Sequence, residues 1–270
     1  MYYKKSIDEL IKKRFSCRIF QEKRIEQAKI KELKDACALL NEGLAGERVK
    51  FYLIELSDDD LKKIDPDDFS LIINPITFMG GSIQKSNLAY ESYGYLLEHL
   101  VLKATEMGLS TCWLGYFNRD YCQEIELKED EVLPAICVVG YAAEKGFSSG
   151  RKKWESLFFI KDFKTSMSQI VAGNYAEPLE MLRLAPSAGN LQPWRVVKEK
   201  NKNIFHFYKK RLDREYEKRK LHNVDIGIAM CHFELGAKKN ELDGTWEKMK
   251  GSPIPIPERT EYIISWIGKL

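Results

Sequence analysis

The long helical stretch 88–107 can be laid on a second one 133 residues downstream. That shift places Gly94 on Gly227, His99 on His232, Ala104 on Ala237 and Trp113 on Trp246, with Leu100 on Phe233 and Leu102 on Leu235 between them. Residues 136–140 resemble residues 264–268 at a shift of 128, and residues 33–43 fall on residues 179–189 at a shift of 146. Tyr95, Leu96, His99, Leu102 and Ala104 keep a helical period, and Gly108 supplies a natural C-terminal stop. A repeat of this kind confines the chain to two similar units of one fold. Any two amphipathic helices share such a period, however, so spacing alone also admits two unrelated helices. The 270 residues suit one large domain or two small ones.

Read in order, Ser6-Ile7-Asp8-Glu9 predicts a capping box opening a helix that runs into Arg14-Phe15-Ser16-Cys17-Arg18. Residues 26–40 predict a second helix with Ile30, Leu33, Ala36, Cys37 and Leu40 on one face. Residues 49–56 read as a strand, 58–68 as an acidic loop with a short helix, and Leu71-Ile72-Ile73 as a buried strand. Gly80-Gly81 marks a flexible loop. Short strands follow at 110–114 and 134–141, the latter apolar on both faces. Residues 148–153 form a basic loop, and 161–178 the connection between halves. The second half predicts a hairpin from 194–198 and 204–208, a charge-dense stretch at 209–220, and a long helix over 222–241. Strands at 245–249 and 260–267 flank Pro253, Pro255 and Pro257.

Composition removes several classes of function. No stretch approaches the about 18 uninterrupted apolar residues that span a bilayer. The first fourteen residues lack the apolar core of a signal peptide, so the expected location is the cytoplasm. Six scattered cysteines, none in Cys-x-x-Cys, read as reduced and mostly buried thiols, and no histidine spacing suggests a metal site. A net charge of +3 argues against a nucleic-acid partner but accommodates a local phosphate site. The mixed signs of 209–220 read as a solvated face.

Two stretches carry chemistry. Leu184-Ala185-Pro186-Ser187-Ala188-Gly189-Asn190-Leu191-Gln192-Pro193-Trp194-Arg195 ends a helix, turns inside two prolines and starts a strand. Ser187, Asn190 and Gln192 there can present donors and acceptors to a flat heterocycle, or can serve the backbone of an ordinary turn. Arg14, Ser16 and Arg18 place two guanidinium groups and a hydroxyl within five residues. They fit an anion through charge-assisted hydrogen bonds, or a solvated basic helix end.

Pro-Ser-x-x-Asn-x-Gln-Pro-Trp resembles the FMN-contacting turn of the nitroreductase family, and Arg14-Phe15-Ser16-Cys17-Arg18-Ile19-Phe20 resembles that family's Arg-x-Ser-x-(Arg/Lys)-x-Phe segment. The order is that of the family, but roughly 170 residues separate two motifs that ordinary members hold within a few dozen. With the repeat, this resembles the family's fused, single-chain members. The resemblance implies an α+β fold, a nitroreductase-like sandwich of two half-units around long central helices. Half A is 1–165 and half B is a shorter 166–270. It implies one FMN site at their interface, in a monomer acting as a pseudo-dimer. Half A keeps Arg14, Ser16, Arg18, Leu114-Gly115 and Arg151-Lys152-Lys153, but reads Leu39-Leu40-Asn41-Glu42-Gly43 where the turn should be. Half B keeps Pro186, Ser187, Asn190 and Gln192, and ends at Leu270 without a basic loop. By the same resemblance, Arg14, Ser16 and the Arg151, Lys152, Lys153 loop hold the FMN phosphate. Arg18 faces the pyrimidine edge, and Ser187, Asn190 and Gln192 bond the ribityl chain or ring edge. The Leu114-Gly115 backbone approaches the ring, with Gly115 N–H toward flavin N5; a simple strand-end turn is the other reading of Gly115. The family's longer segment over the open flavin face is short here (58–70), leaving 209–220 as a substitute lid. The implied activity is hydride transfer from NADH or NADPH, through FMN, to a nitroaromatic, quinone or flavin acceptor. A flavin-binding or storage protein without physiological turnover is the alternative.

Overall fold

Two five-stranded sheets, each accompanied by one long helix, form the framework of the chain. The computed structural model describes residues 3–144, 146 and 150–269. They divide into unit 1, residues 1–148, and unit 2, residues 149–270. Residues 148 and 149 of the predicted basic loop lie outside the described residues.

Unit 1 opens with α1 (Ile7–Lys13), which buries Ile7, Leu10 and Ile11. Ser6 sits at its N-cap, but its hydroxyl donates to Asp8 and the predicted box does not form. Capping boxes form instead at Ser57 and Asp65, where an aspartate three residues on returns the bond. Helix α2 (Gln27–Leu39) buries Ile30, Leu33, Ala36 and Cys37, the predicted stripe without Leu40. Then come β1 (Val49–Glu55), the short α3 (Asp58–Leu61), β2 (Thr77–Gln84), α4 (Ala89–Glu106), β3 (Ser110–Leu114), β4 (Glu131–Val132) and β5 (Ile136–Gly140). The antiparallel sheet runs β1-β2-β5-β3, with β4 on β2.

Unit 2 contains β6 (Phe158–Ile160), α5 (Gln169–Ala172), α6 (Ala176–Arg183), β7 (Trp194–Lys198), β8 (Ile204–Lys210), α7 (Arg214–Lys218), α8 (Leu221–Lys239), β9 (Gly244–Glu247) and β10 (Thr260–Gly268). Its sheet runs β6-β7-β8-β10-β9; only the β6–β7 pair is parallel. The stretch 161–178, expected to connect the halves, lies within this unit and forms α5 and the start of α6.

The repeat is visible in topology. Helix, two strands, long helix, two strands appear in both units, as α2-β1-β2-α4-β3-β5 and α6-β7-β8-α8-β9-β10. The sheet orders β1-β2-β5-β3 and β7-β8-β10-β9 are the same under that correspondence. Trp113 and Trp246, paired by the 133 shift, each donate their indole N–H to a glutamate of their own long helix, Glu98 at 2.8 Å and Glu234 at 2.7 Å. Both long helices are buried well beyond one stripe: α4 buries Glu91, Ser92, Glu98 and Lys103 along with its apolar residues. The fifth strands differ: unit 2 carries β6 on the outer edge of β7, whereas unit 1 carries the short β4 on β2.

Two local expectations fail. Leu71-Ile72-Ile73 is not a strand; Ile72 is buried, while Leu71 and Ile73 are 65% and 51% exposed. Ser70, Leu71 and Asn74 have positive φ, which breaks any extended run, and only an isolated bridge joins Ile73 to Ile19. Gly80 and Gly81 are not a loop but lie in the buried β2. A Cβ on Gly81 would stand 2.2 Å from the Lys50 carbonyl oxygen, and one on Gly80 2.8 Å from Ile136 Cγ2. Gly81 N–H donates to the Tyr93 hydroxyl at 3.0 Å, which donates to the Ala135 carbonyl at 2.6 Å. The glycines serve close approach rather than flexibility. Gly81→Ala should therefore destabilise the protein by about 3 kcal/mol in urea unfolding, and Gly80→Ala by less, because a methyl can yield where backbone cannot.

Candidate functional site

In unit 1 the chain leaves the helix at Arg14, whose φ and ψ are extended. Residues 16–20 then run beside β3 and residue 73, through Cys17 N–H to Thr111 carbonyl at 2.9 Å and Ile73 N–H to Arg18 carbonyl at 2.9 Å. Two-residue alternation puts Ser16 and Arg18 on the exposed face and Cys17 inward. Arg14 is different: it is buried, 4.0 Å from the Glu98 carboxylate, and its Nε has no hydrogen-bond partner among the described residues. Burial pulls its guanidinium below the ordinary arginine value, with Glu98 pulling the other way. A buried cation with an unsatisfied donor suits an anion. Leu114 is buried at the end of β3, and Gly115 is half-buried just beyond it.

In unit 2 the predicted turn is held in an uncommon backbone. Gly189, Asn190 and Gln192 have φ of 56°, 55° and 48°. Gln192 pins them. It is buried; its amide Nε2 donates to the Asn190 carbonyl at 2.8 Å and to Asn190 Oδ1 at 3.0 Å, its Oε1 accepts Lys152 N–H at 2.6 Å, and its backbone N–H donates to Ser187 Oγ at 2.9 Å. Asn190 Nδ2 donates to the Gly150 carbonyl at 2.8 Å, and Arg151 donates to Asn190 Oδ1 at 3.3 Å and to the Leu184 carbonyl at 2.9 Å. The structure thus brings Arg151, Lys152, Ser187, Asn190 and Gln192 together directly. Pro186 is buried beneath them and Lys153 is exposed at the rim. The basic loop, assigned to half A by the resemblance, packs in unit 2 against the turn. Gln192 and Asn190 spend their amides on this bracing, while the Ser187 hydroxyl proton has no acceptor among the described residues.

Sequence reasoning missed Arg195 and Lys210. Arg195 donates to the Trp194 and Gln192 carbonyls, and Lys152 Nζ to the Leu191 carbonyl. Among the described residues, no carboxylate forms an ion pair with Lys152, Lys153, Arg195 or Lys210. Burial, and then repulsion by Arg195 and Lys210, pushes Lys152 down to about 8; burial pushes Arg195 down to about 10. Strand alternation on β7 was the available signal, since it turns Arg195 away from buried Trp194 and Val196. By contrast Lys209, in the charge-dense stretch, is buried against Glu217 and Glu261, each at 3.2 Å, and Asn223 at 2.8 Å.

All six cysteines are free and buried, and no helix is long and apolar enough to cross a membrane among the described residues. Because Lys152 titrates near 8 when folded and near 10.5 when unfolded, the unfolded chain binds the extra proton between those values. Stability from this group therefore rises as pH goes from about 8 to about 10.5, and Lys152→Met should flatten that rise in unfolding curves measured across the range.

A family model described as "Putative TM nitroreductase" matches residues 6–237. The crystal structure of a "putative nitroreductase" from Thermotoga maritima shares the fold: TM-score 0.62 at 21% identity, over 99% of this chain and 95% of that one. Two FMN-bound structures are more distant. One, a "putative nitroreductase in complex with FMN" from Desulfovibrio desulfuricans, has TM-score 0.46 at 16% identity, over 57% of this chain and 96% of its own. The other, a nitroreductase with bound FMN from Bacteroides fragilis, has TM-score 0.42 at 17% identity, over 55% and 95%. No curated protein sequence matches the chain. With the model spanning most of its length, both motifs included, this chain belongs to that nitroreductase family.

Proposed function

We propose that the protein is an FMN-dependent oxidoreductase that takes hydride from NADH or NADPH and reduces a nitroaromatic, quinone or flavin, with one flavin bound per chain. The observation that carries this reading is the cationic cluster of Lys152, Arg195 and Lys210, free of carboxylate ion pairs among the described residues, beside a turn already braced into shape. Such a cluster is costly without an anion and fits a phosphate. The buried, unsatisfied Arg14 Nε in unit 1 fits the same kind of group.

FMN, when bound, supplies the hydride-accepting and hydride-donating chemistry, so the chain needs no nucleophile of its own. In unit 2, Lys152 and Lys153 hold the phosphate. Asn190 and Gln192 keep the turn rigid, and Ser187 offers its hydroxyl proton to the ribityl chain or ring edge. In unit 1, Arg14 and Ser16 are residues suited to a phosphate group. Arg18, exposed and on the same face as Ser16, would offer a cation to the negative charge of a reduced flavin. Gly115 beyond β3 permits close backbone approach to the ring.

One flavin per chain follows from the motifs, because the turn at 39–43 of unit 1 has neither the proline nor the serine that unit 2 retains as Pro186 and Ser187. The visible absorption spectrum of purified protein, with released flavin counted, should give one FMN per chain. NADH or NADPH oxidation with menadione or a nitrofuran should exceed the rate with free FMN. Ser187→Ala should weaken FMN binding about 5–10-fold, the loss of one hydrogen bond. Turnover no faster than free FMN overturns the oxidoreductase reading and leaves a flavin-storage protein.

A further inference from the structure

The turn at 187–190 is tied to α8 by a carboxylate that neither motif contains. Asp225 Oδ1 accepts the Ala188 N–H at 2.9 Å, and its Oδ2 lies 3.1 Å from His222 Nδ1. Both side chains are buried. His222 Nε2 is also buried and has no hydrogen-bond partner among the described residues. An unpaired buried lone pair costs less than an unpaired N–H. The network therefore assigns the proton to Nδ1, donating to Asp225, and leaves Nε2 bare. The Tyr216 ring stands perpendicular to His222 at 5.7 Å, and a Cβ on Gly189 would meet Tyr216 at 3.2 Å, so the ring also backs the turn.

Unit 1 contains the same joint with different chemistry. The 133 shift places Ser92 of α4 on Asp225 of α8. Ser92 Oγ accepts the Leu44 N–H at 3.1 Å and donates to Glu47 Oε2 at 3.0 Å. Glu47, buried, also accepts the Ala45 N–H at 3.0 Å and the Ser86 hydroxyl. In unit 1 the carboxylate comes from the turn region itself and consumes its donors. In unit 2 it comes from the long helix and leaves the turn's own side chains for other bonds.

We propose that Asp225 is a positioning residue for the 187–190 turn, with His222 fixing its carboxylate, so that the first turns of α8 set where Ser187 and Ala188 meet the flavin. This rests on the flavin reading given above. Burial raises the Asp225 carboxyl above its ordinary value, opposed by His222 and the Ala188 N–H; those two donors favour the ionised form.

The test compares Asp225→Leu and Asp225→Asn by FMN titration, by hydrogen exchange of the Ala188 amide in flavin-free protein, and by the ring-nitrogen shifts of His222. Leucine should weaken FMN binding about 10–100-fold, as expected for losing a charge-assisted bond, and should remove protection of the Ala188 amide. Asparagine still offers an oxygen to Ala188. It should keep FMN binding within about threefold and preserve Ala188 protection, while moving the His222 proton to Nε2. Parent-like FMN binding with a protected Ala188 amide in Asp225→Leu overturns the proposal. If the leucine variant does not fold, an asparagine variant that loses Ala188 protection, or leaves the His222 tautomer unchanged, overturns it. A parent protein that binds no FMN removes the flavin reading, and Ala188 exchange and the His222 tautomer then decide the tether by themselves.

Discussion

The buried side-chain amide of Gln192 is the contact on which the unit 2 site depends. A turn with three residues in left-handed backbone is strained unless its surroundings over-determine it. Gln192 does so from inside, because each end of its amide is bonded, one to Asn190 and the other to the Lys152 N–H. A single side chain thus fixes the turn and fastens the basic loop to it. Asp225 adds an outside anchor through Ala188. Asn190 and Gln192 look like ligand contacts in sequence and act structurally as the frame. Ser187 is the polar side chain of the turn whose hydroxyl proton remains uncommitted.

The two units show one fold solving the same local problem twice. Both present a turn after a helix, and both tie that turn to the long helix at positions related by the 133 shift. In unit 1 Glu47 satisfies the turn internally, with Ser86, Ser92 and Ala45 as its donors. In unit 2 the internal acid is gone and positive charge gathers instead. The electrostatic contrast follows: the unit 1 turn is self-neutralised, whereas in unit 2 burial holds Lys152 and Arg195 below their ordinary values, with repulsion from Arg195 and Lys210 adding to it at Lys152.

Glycines and apolar runs were the least legible parts of the chain. Gly80-Gly81 reads as a loop because glycine commonly marks one, yet both residues are used for the room they leave beside Lys50 and Ile136. Leu71-Ile72-Ile73 reads as a strand from its side chains, but backbone with positive φ on either side prevents pairing. For the glycines the deciding contact lies far along the chain, where local composition cannot report it. The same holds for Asp225: nothing near it in sequence marks it, since its partner Ala188 is thirty-seven residues away.

Sequence by itself determined the repeat, the helices and most strands, and the two motifs, because periodicity and turn chemistry are local properties that survive translation along the chain. It thereby determined the family. Only the tertiary structure decided which polar groups are occupied. Hydrogen bonding is exclusive, and an amide already bonded on both sides cannot be distinguished in a sequence from one that is free. That exclusivity made Gln192 a brace, Arg14 a buried cation with an unmet donor among the described residues, and the Arg151–Lys153 loop a companion of the turn.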